Sequence, residues 1–172
     1  MKQLCLLSLF LLFALSSFAQ TSASIIKKQA EAVSQAVLNK KLELLADHTY
    51  PWIMEQMGGR ENMIKTLSES MAQMAAQGVV MQQVTVGEPG KVVTAGKELH
   101  CIVPQQLTLK VPNGTLTING HMLAISQDKG AKWYFLDLAQ LDNSSLKTIF
   151  PDFNQTLVIP EKQQPTFTPE EK

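Results

Sequence analysis

Residues 126–138 read SQDKGAKWYFLDL. Asp128, Lys129 and Gly130 supply a turn, because an Asp side chain bonds nearby backbone and glycine tolerates positive φ. From Lys132 onward, Trp133, Phe135 and Asp137 alternate with Tyr134, Leu136 and Leu138, so both faces of a strand receive large side chains. A strand loaded on both faces does not suit a free edge, which natural sheets keep short, charged or covered. The stretch therefore predicts the last strand of a sheet whose two faces are both used.

The residues upstream supply the rest of that sheet. Glu98 to Val111 and Thr115 to Gln127 predict a long hairpin across Asn113-Gly114, a strong short-range hairpin signal. With Asn113 and Gly114 as the two central turn residues, Leu109 faces Ile118, Leu107 faces Gly120 and Val103 faces Ala124. One face then carries Val103, Leu107, Leu109, Val111, Leu116, Ile118 and Met122, a core face. The other is polar near the turn (Thr108, Lys110, Thr117, Asn119) and apolar at its base, where Ile102, Leu123 and Ile125 lie. That base calls for a cover, either a partner subunit or the C-terminal segment, and makes these three residues the candidate dimer interface. Pro104 and Gly120 are candidate bulge positions. Before the hairpin, Val80 to Val86 alternates with period two, GEPG turns the chain at 87–90, and Lys91 to Thr94 forms a brief strand.

Helical periodicity precedes the sheet. Ile26, Ala30, Val33 and Val37 recur at helical spacing, with Thr21, Ser22 and Ser24 as candidate caps. Leu42 to Leu45 predicts a shorter piece, and Pro51 disfavours helix at Tyr50, so His48 to Trp52 reads as a bend carrying aromatics. Met63, Ile64, Leu67, Met71, Met74 and Ala75 form one stripe from Arg60 to Gln77, and Gly78 fits the C-terminal cap. Methionine at helical spacing is read as core filler. After the aromatic strand, Asn143 or Ser144 caps a short helix ended by Pro151, and Phe153, Leu157, Val158 and Ile159 dock back on the body. From Pro160 the chain is polar and proline-rich, a composition that predicts disorder.

Composition bounds the rest. The 172 residues are 45% hydrophobic, enough for one core. Fifteen Lys and Arg balance fifteen Asp and Glu, so no basic stripe invites nucleic acid or an anionic membrane. Arg60 is the single arginine, which excludes arginine clusters. Lys2, the apolar run Leu4 to Leu15 and the small-x-small Ser17-Phe18-Ala19 predict a signal peptide cleaved after Ala19. The run is short of the roughly 20 apolar residues of a membrane span, so no stable membrane insertion is expected once it is removed. Domain organisation is then signal peptide 1–19, one domain 20–159 and a disordered tail 160–172. Cleavage removes Cys5 and leaves Cys101 without an intramolecular disulfide partner.

Candidate chemistry is sparse. His100 and Cys101 are neighbours on a strand and point to opposite faces, so they are no nucleophile–base pair; Cys101 reads as a buried structural thiol. His48, His100 and His121 lack metal-ligand spacing, and neither a metal nor another cofactor is expected. The remaining constellation is aromatic: Tyr50 and Trp52 on the bend, Trp133 and Phe135 on the last strand, with His48 and Asp137 nearby in sequence. These six are the candidate ligand-pocket residues, an apolar lining with a few polar groups. The plainer alternative has Trp133 and Phe135 capping the core while Asp137 faces water.

Two resemblances follow from these residues. Ser126, Asp128, Gly130 and Trp133 fit S-x-D-x-G-x-x-W, which resembles the Asp-box hairpin of bacterial sialidases; the hairpin carries over, but a sialidase's arginine triad cannot be made from Arg60 alone. Helices followed by a hairpin-rich sheet, the Gly78 switch from helix to strand and AKWYFLDL resemble the nuclear transport factor two-like superfamily over roughly Ser22 to Leu138. More narrowly, TYPW, the GG before the Met-rich helix, IVPQ and SQDKGAKWYF look like bacterial secreted proteins of that shape. The N-x-[ST] sequons at Asn113, Asn143 and Asn154 are then chance matches. The resemblance implies an α+β fold, N-terminal helices packed on a curved antiparallel sheet as a cone-shaped roll, enclosing a pocket and often dimerising through the sheet. The expected function is an exported, secreted or periplasmic binding module for a small apolar ligand, with no catalytic residues assigned. Two alternatives stand beside it: a small lyase or isomerase using His48 or Asp137, and an envelope protein-interaction domain acting through its sheet.

Overall fold

The computed structural model describes residues 22–139, 141 and 143–170. The signal-peptide expectation for 1–19 lies outside the described residues. The described chain is α+β: helices α1 (22–38), α2 (Leu42–Asp47), α3 (Pro51–Gln56) and α4 (Arg60–Ala76), then strands β1 (Val80–Val86), β2 (Val93–Ala95), β3 (Glu98–Val111), β4 (Gly114–Ser126) and β5 (Tyr134–Asp137), helix α5 (Asn143–Ile149) and strand β6 (Thr166–Pro169). The strands form one open antiparallel sheet along the path β1-β3-β4-β5. β2 also pairs with β3, and β6 with β4.

The β3–β4 hairpin is the spine, paired without a break from Leu99↔Ser126 to Val111↔Gly114. Its register corrects the expected one. Leu109 faces Leu116, Leu107 faces Ile118 and Val103 faces Met122, because Pro112 and Asn113 occupy the turn and Gly114 already belongs to β4. Asn113 has φ +71°, the value a type II turn requires after a proline at its first central position. The slip is two residues, so every side chain keeps its face. Gly114 is constrained for another reason: a Cβ there would meet the Phe167 ring of β6 at 2.7 and 2.8 Å. No bulge occurs at Pro104 or Gly120; the irregularity lies between Met81 and Gln83 of β1.

Two apolar clusters sandwich the hairpin base. On one face, Ile26, Ala30 and Val33 of α1 pack on Val86, Cys101, Val103, Met122, Ala124, Trp133 and Phe135. On the other, Ile102, Leu123 and Ile125 lie under Leu138, Leu146 and Phe150, with Phe153, Leu157 and Ile159 packed alongside. The candidate dimer interface is therefore corrected: Leu123 and Ile125 are fully buried and Ile102 nearly so, covered by the chain's own C-terminal segment. Of the segment expected to dock, Val158 alone points outward and is 80% exposed.

The turn at 126–133 forms as the Asp-box pattern implies. Asp128 Oδ1 accepts from the amides of Ala131 (3.1 Å) and Lys132 (2.9 Å), Ser126 Oγ accepts from Gly130 N (2.8 Å), and Trp133 Nε1 donates to the Gly130 carbonyl (3.0 Å). Gln29 of α1 clasps this turn, donating to the Ala131 carbonyl and accepting from Trp133 N, each at 2.9 Å. β5 ends the sheet path, as expected of a last strand, although β6 follows it in the chain and pairs elsewhere on β4. The outer edge of β5 is partly closed by residues 48–49: Phe135 N donates to the His48 carbonyl at 2.8 Å, and Thr49 bridges Phe135.

Three further expectations change. Tyr50 bends the chain, but Pro51 starts α3 as its first-turn proline, a position where its missing N–H costs nothing. Only Met63 of the α4 stripe is buried; Leu67, Met71 and Met74 are half-buried, because α4 packs chiefly on the short α2 and α3. Gly78 does cap the helix, with φ +77° and Val79 N donating to the Met74 carbonyl at 2.9 Å. The tail is not wholly irregular: Thr166–Pro169 pairs with Gly114–Thr117 of β4. Its alternating Thr and Phe suit a strand, a signal masked by the surrounding prolines.

Two predictions follow from this packing. Ile125→Glu places an unpaired carboxylate in the second cluster, at a cost of several kcal/mol. We expect the melting temperature to fall by roughly 10 °C or more, not a dimer to dissociate; thermal unfolding with light scattering reads both. Gly114→Val should release β6, so that amide exchange at 166–168 becomes unprotected while the β3–β4 ladder stays protected.

Candidate functional site

β5 pairs with β4 over Met122–Ile125 and β6 with β4 over Gly114–Thr117. Between them, residues 118–121 of β4 have no strand partner on that side, and a cleft of about 480 Å³ opens there. Leu107 and Ile118, directly opposed on the hairpin, line it together with Leu138, Leu141, Ile159 and Pro160. Gly120 contributes no side chain to the space, and a Cβ there would come no nearer than 4.0 Å to Gln105.

The polar rim is ordered by hydrogen bonds. Gln105 Nε2 donates to Asp137 Oδ2 (2.8 Å), and Ala139 N donates to Asp137 Oδ1 (2.6 Å). Leu138 N donates to the His121 carbonyl (3.0 Å), which continues the β5 ladder one step into the gap. Asn119 Nδ2 donates to Gln163 Oε1 (3.0 Å), tying the segment before β6 across the opening. Asp137 remains solvent-exposed.

The six expected pocket residues do not converge on one cavity. Trp133 is wholly buried and Phe135 nearly so, both in the solid cluster beneath α1. His48 lies beside Phe135, ring centroids 6.2 Å apart, and its Nδ1 donates to the Trp133 carbonyl at 2.7 Å; an acceptor-only carbonyl requires the proton on that nitrogen. Trp52 is 38% exposed on α3. Asp137 alone of the six lines the sheet-edge cleft. Tyr50 lies on the opposite sheet face from Trp133, packed against Phe150 at 4.9 Å and edge-on to Tyr134. The plainer reading of Trp133 and Phe135 as core is the one the packing bears out, because α1 sits directly on them.

Tyr50 belongs to a polar cluster that sequence reasoning missed. Its hydroxyl donates to Glu98 Oε1 at 3.0 Å, and Gln127 Nε2 donates to the same oxygen at 2.7 Å. His100 Nε2 lies 3.0 Å from Glu98 Oε2. A carboxylate accepts only, so Nε2 carries the proton and Nδ1 holds a lone pair. That Nδ1 is buried without a partner. An unsatisfied buried acceptor costs about 1–3 kcal/mol. Burial holds the His100 imidazole below its ordinary 6.5, partly offset by Glu98, and pushes the Tyr50 hydroxyl up to about 12, helped by its bond to Glu98. The signal for this cluster was the i, i+2 spacing of Glu98 and His100, which places both on one face of β3.

Cys101 points to the other face, fully buried, its thiol 3.2 Å from the Gly90 carbonyl and pushed up to about 11 by burial. This is the inert structural thiol expected. Among the described residues no group of three His, Cys, Asp or Glu converges on a metal-sized site. No described helix is long and apolar enough to cross a membrane. Arg60 is engaged by Asp47 (2.6 Å) and Glu43 (2.7 Å) on the helical surface.

Comparison with known proteins adds no identity: no protein-family model and no curated protein matches this chain.

The buried imidazole sets a pH dependence. Because the folded chain takes up the His100 proton at lower pH than the unfolded chain, the unfolded state binds more protons below 6.5. Stability should therefore fall as pH drops through 6.5 toward the lower folded value, and this part should be complete above it. His100→Gln should flatten the slope in that window, read by urea unfolding between about pH 5 and 8.

Proposed function

We propose that the chain is an exported, non-enzymatic binding module of nuclear transport factor two-like shape, and that its site is the sheet-edge cleft. The observation that carries this reading is the cleft itself: about 480 Å³, floored by Leu107 and Ile118 and rimmed by Gln105, Asp137 and His121. An apolar concavity of that size with a few placed polar groups is the usual composition of a small-ligand site. Gly120 supports it further, since a mid-strand glycine gives up side-chain packing and here leaves the cleft open. The ligand class is a small apolar molecule.

The lyase or isomerase alternative draws no support from its two candidate residues. Asp137 is exposed at the sheet-edge cleft, and His48 lies outside that cleft beside Phe135, so the two share no cavity. Ile102, Leu123 and Ile125 offer no open surface for an assembly, because the C-terminal segment packs over them.

Native mass spectrometry of the chain begun at Gln20, purified gently, tests the reading. A co-purifying small molecule is the expected outcome. Gly120→Leu fills the cleft without backbone strain, since Gly120 is not at positive φ. That variant should fold with an unchanged melting temperature within a few degrees and lose the bound mass. Retention of the molecule by Gly120→Leu would place it elsewhere and sink the cleft as the site.

A further inference from the structure

A second cavity, separate from the cleft, lies against this polar cluster around the buried His100. It measures about 280 Å³ and is lined by Tyr50, Glu98, His100, Ile149, Phe150 and Pro151, together with the exposed Lys97 and Asp152. Here the fold brings together an ordered acceptor and aromatic walls. Glu98 fixes the His100 ring through Nε2 and is itself fixed by Tyr50 and Gln127. Phe150 stands edge-on to the imidazole at 5.2 Å, and Phe153 lies at 5.8 Å. Among the described residues, the one buried side-chain polar atom without a partner is His100 Nδ1.

We propose that this cavity is a second binding site, whose ligand is a flat, neutral molecule with an apolar ring and one O–H or N–H group donated to His100 Nδ1. The chemistry selects that class. A lone pair on a buried neutral imidazole calls for a donor, since a second acceptor would leave both atoms unpaired. Phe150, Tyr50, Pro151 and Ile149 favour an apolar planar body over a charged one. Glu98 acts as a positioning residue, holding the tautomer that presents the Nδ1 lone pair. Docking requires the side chains over the imidazole to part, because Nδ1 is closed to solvent in the unliganded fold; the rings of Phe150 and Phe153 are packed against it.

Phenol is the probe, and benzene, which lacks the donor, is its control. With histidine nitrogens labelled in the full chain, long-range proton–nitrogen spectra distinguish the two ring nitrogens of His48, His100 and His121. Without phenol, His100 should show a protonated Nε2 and a bare Nδ1. Phenol should move the Nδ1 signal saturably, and benzene should bind roughly two- to tenfold more weakly, the usual worth of one hydrogen bond. His100→Phe keeps a planar ring and deletes the acceptor while Tyr50 and Gln127 still hold Glu98, and should weaken phenol by a similar factor. His121 lines the sheet-edge cleft and reports that site independently. A phenol response confined to His121, equal effects of benzene and phenol at His100, or a protonated Nδ1 in the free protein would each overturn the proposal.

Discussion

A sheet whose central hairpin is apolar on both faces must be covered on both faces, and one short chain has to supply both covers. At the base of β3 and β4, Cys101, Val103, Met122 and Ala124 point one way, while Ile102, Leu123 and Ile125 point the other. The larger of these, Val103, Met122, Ile102, Leu123 and Ile125, each contribute about 1.5–3 kcal/mol when removed from water. The residues before the sheet cover the first face through α1, and those after it cover the second through α5 and the segment to Ile159. Everything else is placed by that division. β5 ends the path because the chain must leave the sheet there to cross to the second face.

The division also explains where the cavities are. α1 seats directly on Trp133 and Phe135, which leaves that interior filled. Space remains where the returning chain cannot follow the sheet. β4 is longer than β5, so its outer edge is open over residues 118–121, between β5 and β6, and the cleft forms in that interval. The second cavity forms where α5 and Pro151 meet the polar end of β3, around Glu98 and His100. Both follow from mismatched element lengths.

Local patterns were legible wherever a residue's own chemistry dictated the geometry. The Asp128 turn, the Gly78 cap, the opposite faces of His100 and Cys101 and the burial of Cys101 all follow from side-chain hydrogen bonding, positive φ or strand alternation. The hairpin existed as read, but the turn residues were misassigned by one position, since Pro112-Asn113 and Asn113-Gly114 are both acceptable turns by composition. The deciding contact is remote: β6 lies across Gly114 and leaves no room for a Cβ. The α4 stripe misled because helical amphipathicity specifies which side turns inward but not how much sheet lies beneath it.

What the sequence by itself determined is the α+β order of the main elements, the parity of the β3–β4 hairpin and of β5, and the need to cover two faces. These rest on periodicity and on short-range sterics, which act within a few residues. Only the tertiary structure decided what does the covering, where the chain leaves a gap, and which polar groups meet. Tyr50, Glu98 and Gln127 converge, and His100 is left with an unpaired nitrogen, through backbone paths that close over tens of residues. Those closures depend on relative strand lengths and on competition among apolar surfaces for the same face, and neither quantity is written in any one stretch of the chain.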